Sequence, residues 1–195
     1  MIFNIVKFLL IVYFRLFFKM RITGSENIPK EGKAVLVSNH ISNYDPLAVG
    51  VFMHRAPHFM AKKELFEIFG LKHFFRALKA FPVNRGKADI AAYKEANNIL
   101  KSGEILGIFA QGTRVSPEDE VAAKSGAALF AVKNNAPVIP VAVSGTYKFF
   151  SDVYINYGKP VSMEEYQGVR LNTSLLNEIT DRIMNEIEKL KVEVK

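Results

Sequence analysis

Val35-Leu-Val-Ser-Asn-His-Ile-Ser-Asn-Tyr-Asp-Pro46 is the stretch that says most about the fold and chemistry of this chain. Its first half is a short apolar run typical of a buried strand, and the run ends at His40. An aspartate, Asp45, follows directly before Pro46. A neutral imidazole held by a carboxylate is a general base, so this pair is the first candidate for catalysis.

Asp45 and Pro46 also have the pattern of a helix start. Aspartate at the N-cap followed by proline at the first helical position satisfies free amide groups without any catalysis. The two interpretations are compatible, because a carboxylate held at a helix start can still accept the imidazole N–H. His40 would then keep the tautomer that accepts a proton on its other nitrogen. A covalent serine enzyme is disfavoured, since the chain has no obvious G-x-S-x-G nucleophile elbow.

Around this stretch, apolar runs alternate with helical patterns. The predicted strands cover 34–39, 80–84, 104–110 and 138–144. The predicted helices cover 46–53, 63–77 with a break at Gly70, 88–101, 124–134 and 171–194. This alternation predicts an α/β fold with a mostly parallel central sheet flanked by helices. The acidic turn 116–120 is expected to be an exposed loop.

The first segment, 2–18, is almost wholly apolar and aromatic. A narrow polar stripe recurs along it at helical spacing, formed by Asn4, Lys7, Arg15 and Lys19. The uncharged runs fall far short of the ~20 apolar residues that a bilayer span requires. We therefore expect an amphipathic helix in the membrane interface, with its lysines and arginine at anionic headgroups. A buried core helix and a tilted span are the alternatives, and a cleaved signal peptide is disfavoured.

Length, composition and charge limit the classes of function. A chain of 195 residues with 49% hydrophobic content suits one core, so we expect a membrane-interface helix over 1–20 and a single domain over 21–195. The absence of cysteine excludes disulfides and thiolate catalysis, and four histidines leave little material for a metal site. The net charge of +7 favours anionic partners. Nucleic acid is disfavoured because no recognition motif accompanies that charge.

Polar side chains follow three of the predicted strands. His40 follows the first, Arg85 the second, and Gln111-Gly-Thr-Arg114 the third. Ligands of open α/β sheets bind beyond the carboxyl ends of strands, so these segments are expected to converge on one cleft. A guanidinium grips phosphate oxygens in a bidentate fork. Arg85 and Arg114 therefore predict a phosphate clamp, although an arginine after a strand is also an ordinary surface charge.

Four blocks of sequence, taken in order, resemble those of the glycerolipid acyltransferases. The blocks are Asn39-His40-x4-Asp45, Phe81-Pro-Val-Asn-Arg85-Gly86, Phe109-Ala-Gln-Gly-Thr-Arg114 and Val138-Ile-Pro-Val141. The resemblance covers residues 21–158 and is closest to the 1-acylglycerol-3-phosphate (lysophosphatidic acid) acyltransferase branch. Four ordered blocks are far more specific than a lone H-x4-D motif.

The resemblance implies a catalytic pair and a site for the acceptor. His40 is implied to take the proton from an acceptor hydroxyl as that hydroxyl attacks an acyl thioester, and Asp45 to orient His40. The acceptor's phosphate is implied to bind the arginines and loop of the second and third blocks, at Arg85, Gly112, Thr113 and Arg114.

The third block departs from the family pattern. The family usually has Phe-Pro-Glu-Gly-Thr-Arg, whereas this chain has Ala110 and Gln111 in place of proline and glutamate. Glutamine keeps a carbonyl acceptor but loses the negative charge. We interpret Gln111 and Asn39 as supporting residues and expect activity to survive, with a possible change in acceptor preference or rate.

The implied activity is transfer of a fatty acyl group to the free hydroxyl of 1-acylglycerol 3-phosphate, which gives phosphatidic acid in phospholipid biosynthesis. The implied donor is acyl-CoA or an acyl carrier protein thioester, with no metal or redox cofactor. The expected location is the cell membrane, peripheral or monotopic on the cytoplasmic face. The alternatives are another lysolipid or phosphorylated acceptor, a phosphate-ester hydrolase, and a noncatalytic lipid-binding membrane protein.

Overall fold

The computed structural model describes residues 2–84, 89–112, 123 and 125–193. Within these residues the strands are β1 (Lys19–Thr23), β2 (Ala34–Ser38), β3 (His58–Lys62), β4 (Phe81–Val83), β5 (Ile105–Phe109), β6 (Val138–Gly145) and β7 (Asp152–Tyr157). The α-helices are α1 (Ile2–Phe17), α2 (Asp45–Val51), α3 (Leu71–Ala77), α4 (Ile90–Lys101), α5 (Gly126–Lys133) and α6 (Thr173–Leu190). Strands and helices alternate through most of the chain, which confirms the predicted α/β fold.

The strands form one sheet in the order β1-β7-β6-β2-β5-β3-β4. The pairs from β6 to β4 are parallel, whereas β7 pairs antiparallel with β6 and β1 pairs parallel with β7. The sheet is therefore mostly parallel, as predicted. Because these strands are parallel, the carboxyl ends of β2, β4 and β5 lie on the same side of the sheet, and the chain leaves all three strands there.

Three strands, β1, β3 and β7, were missed by the sequence prediction. They lie toward the two ends of the sheet and carry polar side chains at alternate or flanking positions. In β7, for example, Val153, Ile155 and Tyr157 are buried while the residues between them are half-buried. A search for continuous apolar runs overlooks such strands, and the two-residue alternation is the signal that identifies them.

Gly70 divides the helix predicted for 63–77. The first part is a short 3-10 helix at Lys63–Phe66, and only Leu71–Ala77 is α-helical. Gly70 has a φ of 82°, in the left-handed region that glycine adopts without strain, and it directly precedes α3. The acidic turn 116–120 lies outside the described residues.

Apolar clusters cover both faces of the sheet. On one face Val35 and Val37 of β2 pack with side chains of α4, α5 and α6, including Leu100, Ala131 and Ile183. On the other face Leu36 packs with side chains of α1, α2 and β7. All five residues of β2 are buried because both faces are covered, which is why its first four residues, 34–37, are all apolar.

Helix α1 packs one side into the domain and exposes another. Phe14 is 0% exposed and Phe18 is 4% exposed, and both belong to the cluster that contains Leu36. More than half of the residue surface remains exposed at Ile5, Phe8, Leu9 and Leu16. The buried-helix interpretation is therefore correct for one side, and a second, exposed apolar side remains. In the described residues, no helix combines the length and apolar character needed to cross a bilayer.

The polar stripe of α1 is divided between the domain and the solvent. The Nζ of Lys7 donates a 2.6 Å hydrogen bond to the carbonyl of Met53, just beyond the end of α2. A helix C-terminus attracts such a cation because its last carbonyls lack partners in the helix. Partial burial lowers the pKa of Lys7. The expectation that Lys7 reaches lipid headgroups is wrong, whereas Arg15 and Lys19 are exposed.

Candidate active site

His40 and Asp45 lie together directly after β2. Asp45 Oδ2 accepts hydrogen bonds from His40 Nδ1 at 2.8 Å and from the backbone N–H groups of Ile41 and Ser42, each at 2.7 Å. Asp45 is fully buried, and only 8% of the His40 side chain is exposed. Because Nδ1 is bound to the carboxylate, the neutral tautomer has its other nitrogen, Nε2, as a proton acceptor.

The structure corrects the helix-cap interpretation of Asp45. Helix α2 begins at Asp45, and Tyr44 occupies the N-cap position without a capping side-chain hydrogen bond. The carboxylate turns back to the amides of residues 41–42 instead of capping α2, and Pro46 follows it within the first turn. The proposed pairing with His40 is present, and the helix start holds its carboxylate member in place.

Asn39 holds the end of β2 against β6. Its side-chain Nδ2 donates to the carbonyl of Val143 at 2.8 Å, and its Oδ1 accepts from the N–H of Val143 at 2.7 Å. This two-point contact satisfies both backbone groups of one β6 residue, so it resists sliding and rotation of the neighbouring backbone. Asn39 directly precedes His40, so these two hydrogen bonds also restrict the backbone position of His40.

The His40 ring lies on a stack of aromatic rings. Its centroid is 4.1 Å from that of Phe109, and the Phe109 centroid is 5.2 Å from that of Phe59. Gly107 leaves space for this stack, because a Cβ atom there would lie 2.5 Å from two atoms of the Phe59 ring. The stack and the Asp45 hydrogen bond restrict the imidazole from two directions. Sequence reasoning missed this role of Phe109, although the residue lies within the third block.

A cavity of about 420 Å³ has His40 and Phe109 in its wall. It extends between α2, β3 and α3, and most of its other lining side chains are aliphatic or aromatic. These include Leu47, Val51, Phe59, Leu65, Phe75 and Leu78. The His40–Asp45 pair thus adjoins an apolar cavity large enough for a small ligand or part of a chain. No local sequence pattern indicates this cavity, because its walls come from separate elements.

The third block turns sharply at the end of β5. Gly112 has a φ of 67°, and its N–H donates to the carbonyl of Phe109 at 2.9 Å. Gln111 is buried, and its side-chain Oε1 has no hydrogen-bond partner in the described part of the chain. The sequence-predicted residues Arg85, Thr113 and Arg114 lie outside the described residues. The structure does show that β2 and β5 are neighbours and that β3 separates β5 from β4.

Comparisons with known proteins agree with this architecture. The sequence model of the family described as Acyltransferase matches residues 19–144. The chain is 30% identical over 189 residues to a 1-acyl-sn-glycerol-3-phosphate acyltransferase of Borreliella burgdorferi, covering 89% of this chain and 74% of that protein. It is 35% identical over 127 residues to the protein of the same name from Bacillus subtilis, covering 65% of this chain and 63% of that protein.

A solved structure shares the fold. The crystal structure of the 1-acyl-sn-glycerophosphate (LPA) acyltransferase PlsC from Thermotoga maritima matches with a TM-score of 0.77 and 28% identity. The match covers 99% of this chain and 81% of that one. These findings confirm the resemblance carried by the four sequence blocks, and the chain belongs to the acyltransferase family.

Proposed function

We propose that this chain is a 1-acylglycerol-3-phosphate O-acyltransferase. The observation that carries this proposal is the buried His40–Asp45 pair in the wall of an apolar cavity. The cavity suits the hydrocarbon chain of an acyl thioester, and the pair suits removal of a proton from an acceptor hydroxyl. The names of the matching relatives support this choice of acceptor.

His40 acts as the general base in the proposed mechanism. Nε2 takes the proton of the acceptor hydroxyl while the hydroxyl oxygen forms a bond to the thioester carbonyl carbon. The carbon–sulfur bond then breaks, and the thiol of coenzyme A or acyl carrier protein leaves with the proton that Nε2 returns to its sulfur. Asp45 stabilises the imidazolium that forms, since its carboxylate accepts the Nδ1 hydrogen bond throughout. Binding both substrates beside His40 supplies much of the rate enhancement.

The acceptor phosphate is assigned to the second and third blocks. Arg85 and Arg114 supply guanidinium groups that match phosphate oxygens, and Gly112 and Thr113 belong to the same loop sequence. The parallel pairing of β5 with β2 supports this assignment, because the Gly112 turn starts at the edge of the sheet that carries His40. No metal or redox cofactor has a role in this mechanism.

A thiol-release assay tests the proposed function. The protein is presented on liposomes with an acyl-CoA or an acyl carrier protein thioester, together with lysophosphatidic acid, glycerol 3-phosphate or a lysophospholipid. Thiol release that requires lysophosphatidic acid and yields phosphatidic acid is the expected result. Thiol release with another acceptor alone would change the assigned substrate, and no release with any pair would reject the enzyme.

We expect Gly50→Leu to shorten the acyl chain that the enzyme accepts. Gly50 lies in α2 and lines the cavity, and a Cβ atom there would stand 3.6 Å from the Phe59 ring and 3.7 Å from Pro57. A methyl group therefore fits, whereas a leucine side chain occupies cavity volume. The kcat/KM for long-chain donors should fall about tenfold relative to short-chain donors, comparable to the loss of one or two buried methylenes.

Gly50→Ala is the matched control for this prediction. It makes the same backbone change within a helix but adds only the methyl group that the site accommodates. The ratio of long-chain to short-chain kcat/KM should stay within about twofold of the original protein. An unchanged ratio in Gly50→Leu would show that the acyl chain binds elsewhere.

We further propose that α1 binds the membrane surface through its exposed apolar side. Ile5, Phe8, Leu9 and Leu16 point away from the domain, and the exposed Arg15 provides a positive charge beside them. Apolar side chains with neighbouring cations suit an anionic lipid interface. This arrangement places the protein at the leaflet that holds its lysolipid acceptor.

Leu9→Glu with Leu16→Glu is expected to weaken binding to anionic vesicles by about a hundredfold, because two apolar contacts are lost and two repulsive charges are added. Vesicle co-sedimentation measures the effect. Ile90→Glu is the control, since Ile90 is an exposed apolar residue of α4 on a different helix and should leave binding unchanged. Equal loss in both variants would mean that overall charge, and not α1, determines binding.

A further inference from the structure

Tyr147 is a half-buried tyrosine that lies shortly after β6, and its hydroxyl oxygen is buried. Its ring packs against three aromatic rings, with centroid distances of 5.4 Å to Tyr44, 5.6 Å to Phe18 and 6.5 Å to Phe14. Two of these neighbours, Phe14 and Phe18, are the most buried aromatic residues of the N-terminal segment. The ring is therefore held by α1 on one side and by the loop before α2 on the other.

Two buried oxygen atoms of this region lack ordinary hydrogen-bond partners. One is the hydroxyl of Tyr147, and the other is Asp45 Oδ1. Neither makes a hydrogen bond of normal geometry within the described residues, although Asp45 Oδ2 accepts three. A buried polar atom without a partner costs free energy, so its presence in a well-packed site points to a role.

The two oxygens lie in the same part of the structure, because the Tyr147 ring packs at 5.4 Å on the ring of Tyr44, the residue directly before Asp45. Burial, followed by the negative charge of Asp45 and the interaction of the hydroxyl with its carboxylate, raises the pKa of Tyr147 well above its usual value. This shift favours the protonated form of the hydroxyl, which can donate a hydrogen bond, and a carboxylate oxygen is an acceptor that needs a donor.

We propose that Tyr147 is a positioning residue for the His40–Asp45 pair, whose hydroxyl donates a hydrogen bond to Asp45 Oδ1 in the working enzyme. The carboxylate group is planar and turns about a single bond. With donors on Oδ2 alone, small rotations move that oxygen away from His40 Nδ1. A donor on Oδ1 holds both ends of the carboxylate, so the imidazole keeps one orientation through the reaction.

This proposal rests on the proposed function only for its kinetic consequence. Tyr147→Phe removes the hydroxyl and keeps the ring that packs against Phe14, Phe18 and Tyr44. The kcat for acyl transfer should fall about tenfold, as expected when one hydrogen bond to a charged group is lost. The KM values for donor and acceptor should change less than twofold, because Tyr147 touches neither substrate.

Tyr157→Phe is the matched control. Tyr157 is buried, and its hydroxyl donates a 2.6 Å hydrogen bond to the carbonyl of Val49 in α2. Its removal takes an equivalent hydroxyl from the same apolar cluster without touching the His40–Asp45 pair. Both variants should be less stable than the original protein, but only Tyr147→Phe should lower kcat. An equal fall in kcat in both would reduce the role of Tyr147 to packing.

A second measurement does not depend on turnover. The proton on His40 Nδ1 lies in the hydrogen bond to Asp45, and its NMR resonance reports the charge on that carboxylate. Loss of the donor on Oδ1 lets the carboxylate rotate away from Nδ1 and weakens this hydrogen bond, so the resonance should move upfield in Tyr147→Phe and stay unchanged in Tyr157→Phe. An unmoved resonance overturns the positioning role. A moved resonance in a protein without acyl transfer would retain it and reject the proposed function instead.

Asp45→Asn tests the proposed Tyr147–Asp45 interaction by changing the acceptor instead of the donor. In protein labelled at the ζ carbon of tyrosine, the Tyr147 signal should shift when the carboxylate charge is removed, and the Tyr157 signal should not. Equal or absent shifts at the two tyrosines would overturn the proposal even if Tyr147→Phe proved too unstable to study.

Discussion

His40→Ala is expected to lower kcat for acyl transfer by about a thousandfold, within the range for loss of a positioned general base. The imidazole is fixed by a 2.8 Å hydrogen bond to Asp45 and by its stack on Phe109. No alanine atom can take its place, and Asp45 Oδ2 still accepts hydrogen bonds from the backbone amides of Ile41 and Ser42. The acceptor hydroxyl then has to attack without transfer of its proton to the protein.

Thiol release and phosphatidic acid formation measure this effect. His54→Ala is the control, because His54 is an exposed imidazole that contributes nothing to the cavity wall. Circular dichroism and vesicle binding should be unchanged in both variants, which separates loss of chemistry from loss of fold. If His40→Ala retained turnover within tenfold of the original protein, His40 would be removed as the base. A noncatalytic lipid-binding role would then predict unaltered lysolipid binding with no thiol release.

Phe14→Ala is expected to lower the free energy of unfolding by about 3–5 kcal/mol, the usual cost of truncating a fully buried phenylalanine. Phe14 is 0% exposed and packs with rings from three other parts of the chain: Tyr44, Phe52 and Tyr147. Its removal leaves a cavity between α1, the loop before α2 and the segment after β6. Denaturant unfolding without lipid measures the change.

The same helix provides the control for this stability prediction. Phe8→Ala removes an identical side chain from a position that is 64% exposed, so unfolding should change by only about 0.5 kcal/mol. On vesicles the ranking should reverse, with Phe8→Ala weakening binding more than Phe14→Ala does. Similar unfolding effects from both variants would show that α1 does not belong to the core in solution. Residues 1–20 would then be a membrane-binding segment that is separate from the folded domain over 21–195.

The central strands were predictable because buried strands have mainly apolar sequences. β2, β5 and β6 lie in the middle of the sheet with both faces covered, and mainly apolar sequences suit such positions. The outer strands were not predictable by the same criterion. In β1 and β7 the polar residues are compatible with a strand because one face is less covered, so composition alone does not separate them from a loop.

The candidate site also combines features that were predictable from the sequence with features that were not. His40 and Asp45 are close in sequence, so a strand end and a helix start suffice to bring them together. Asn39 bonds to Val143 of β6, and the Tyr147 ring packs on Phe14 of α1, so both contacts join residues far apart in the chain. Their roles depend on which strands are neighbours and on the register between them. A pattern of residue types does not contain that information.

By itself, the sequence determined the alternation of strands and helices, the His40–Asp45 pair and the family. Each of these depends on local periodicity, or on residues a few positions apart whose geometry the backbone restricts. Tertiary structure decided that Lys7 binds the end of α2, that Phe109 supports His40, and that an apolar cavity opens beside the base. These features arise where segments distant in sequence pack against one another, and packing depends on the shape of the whole core.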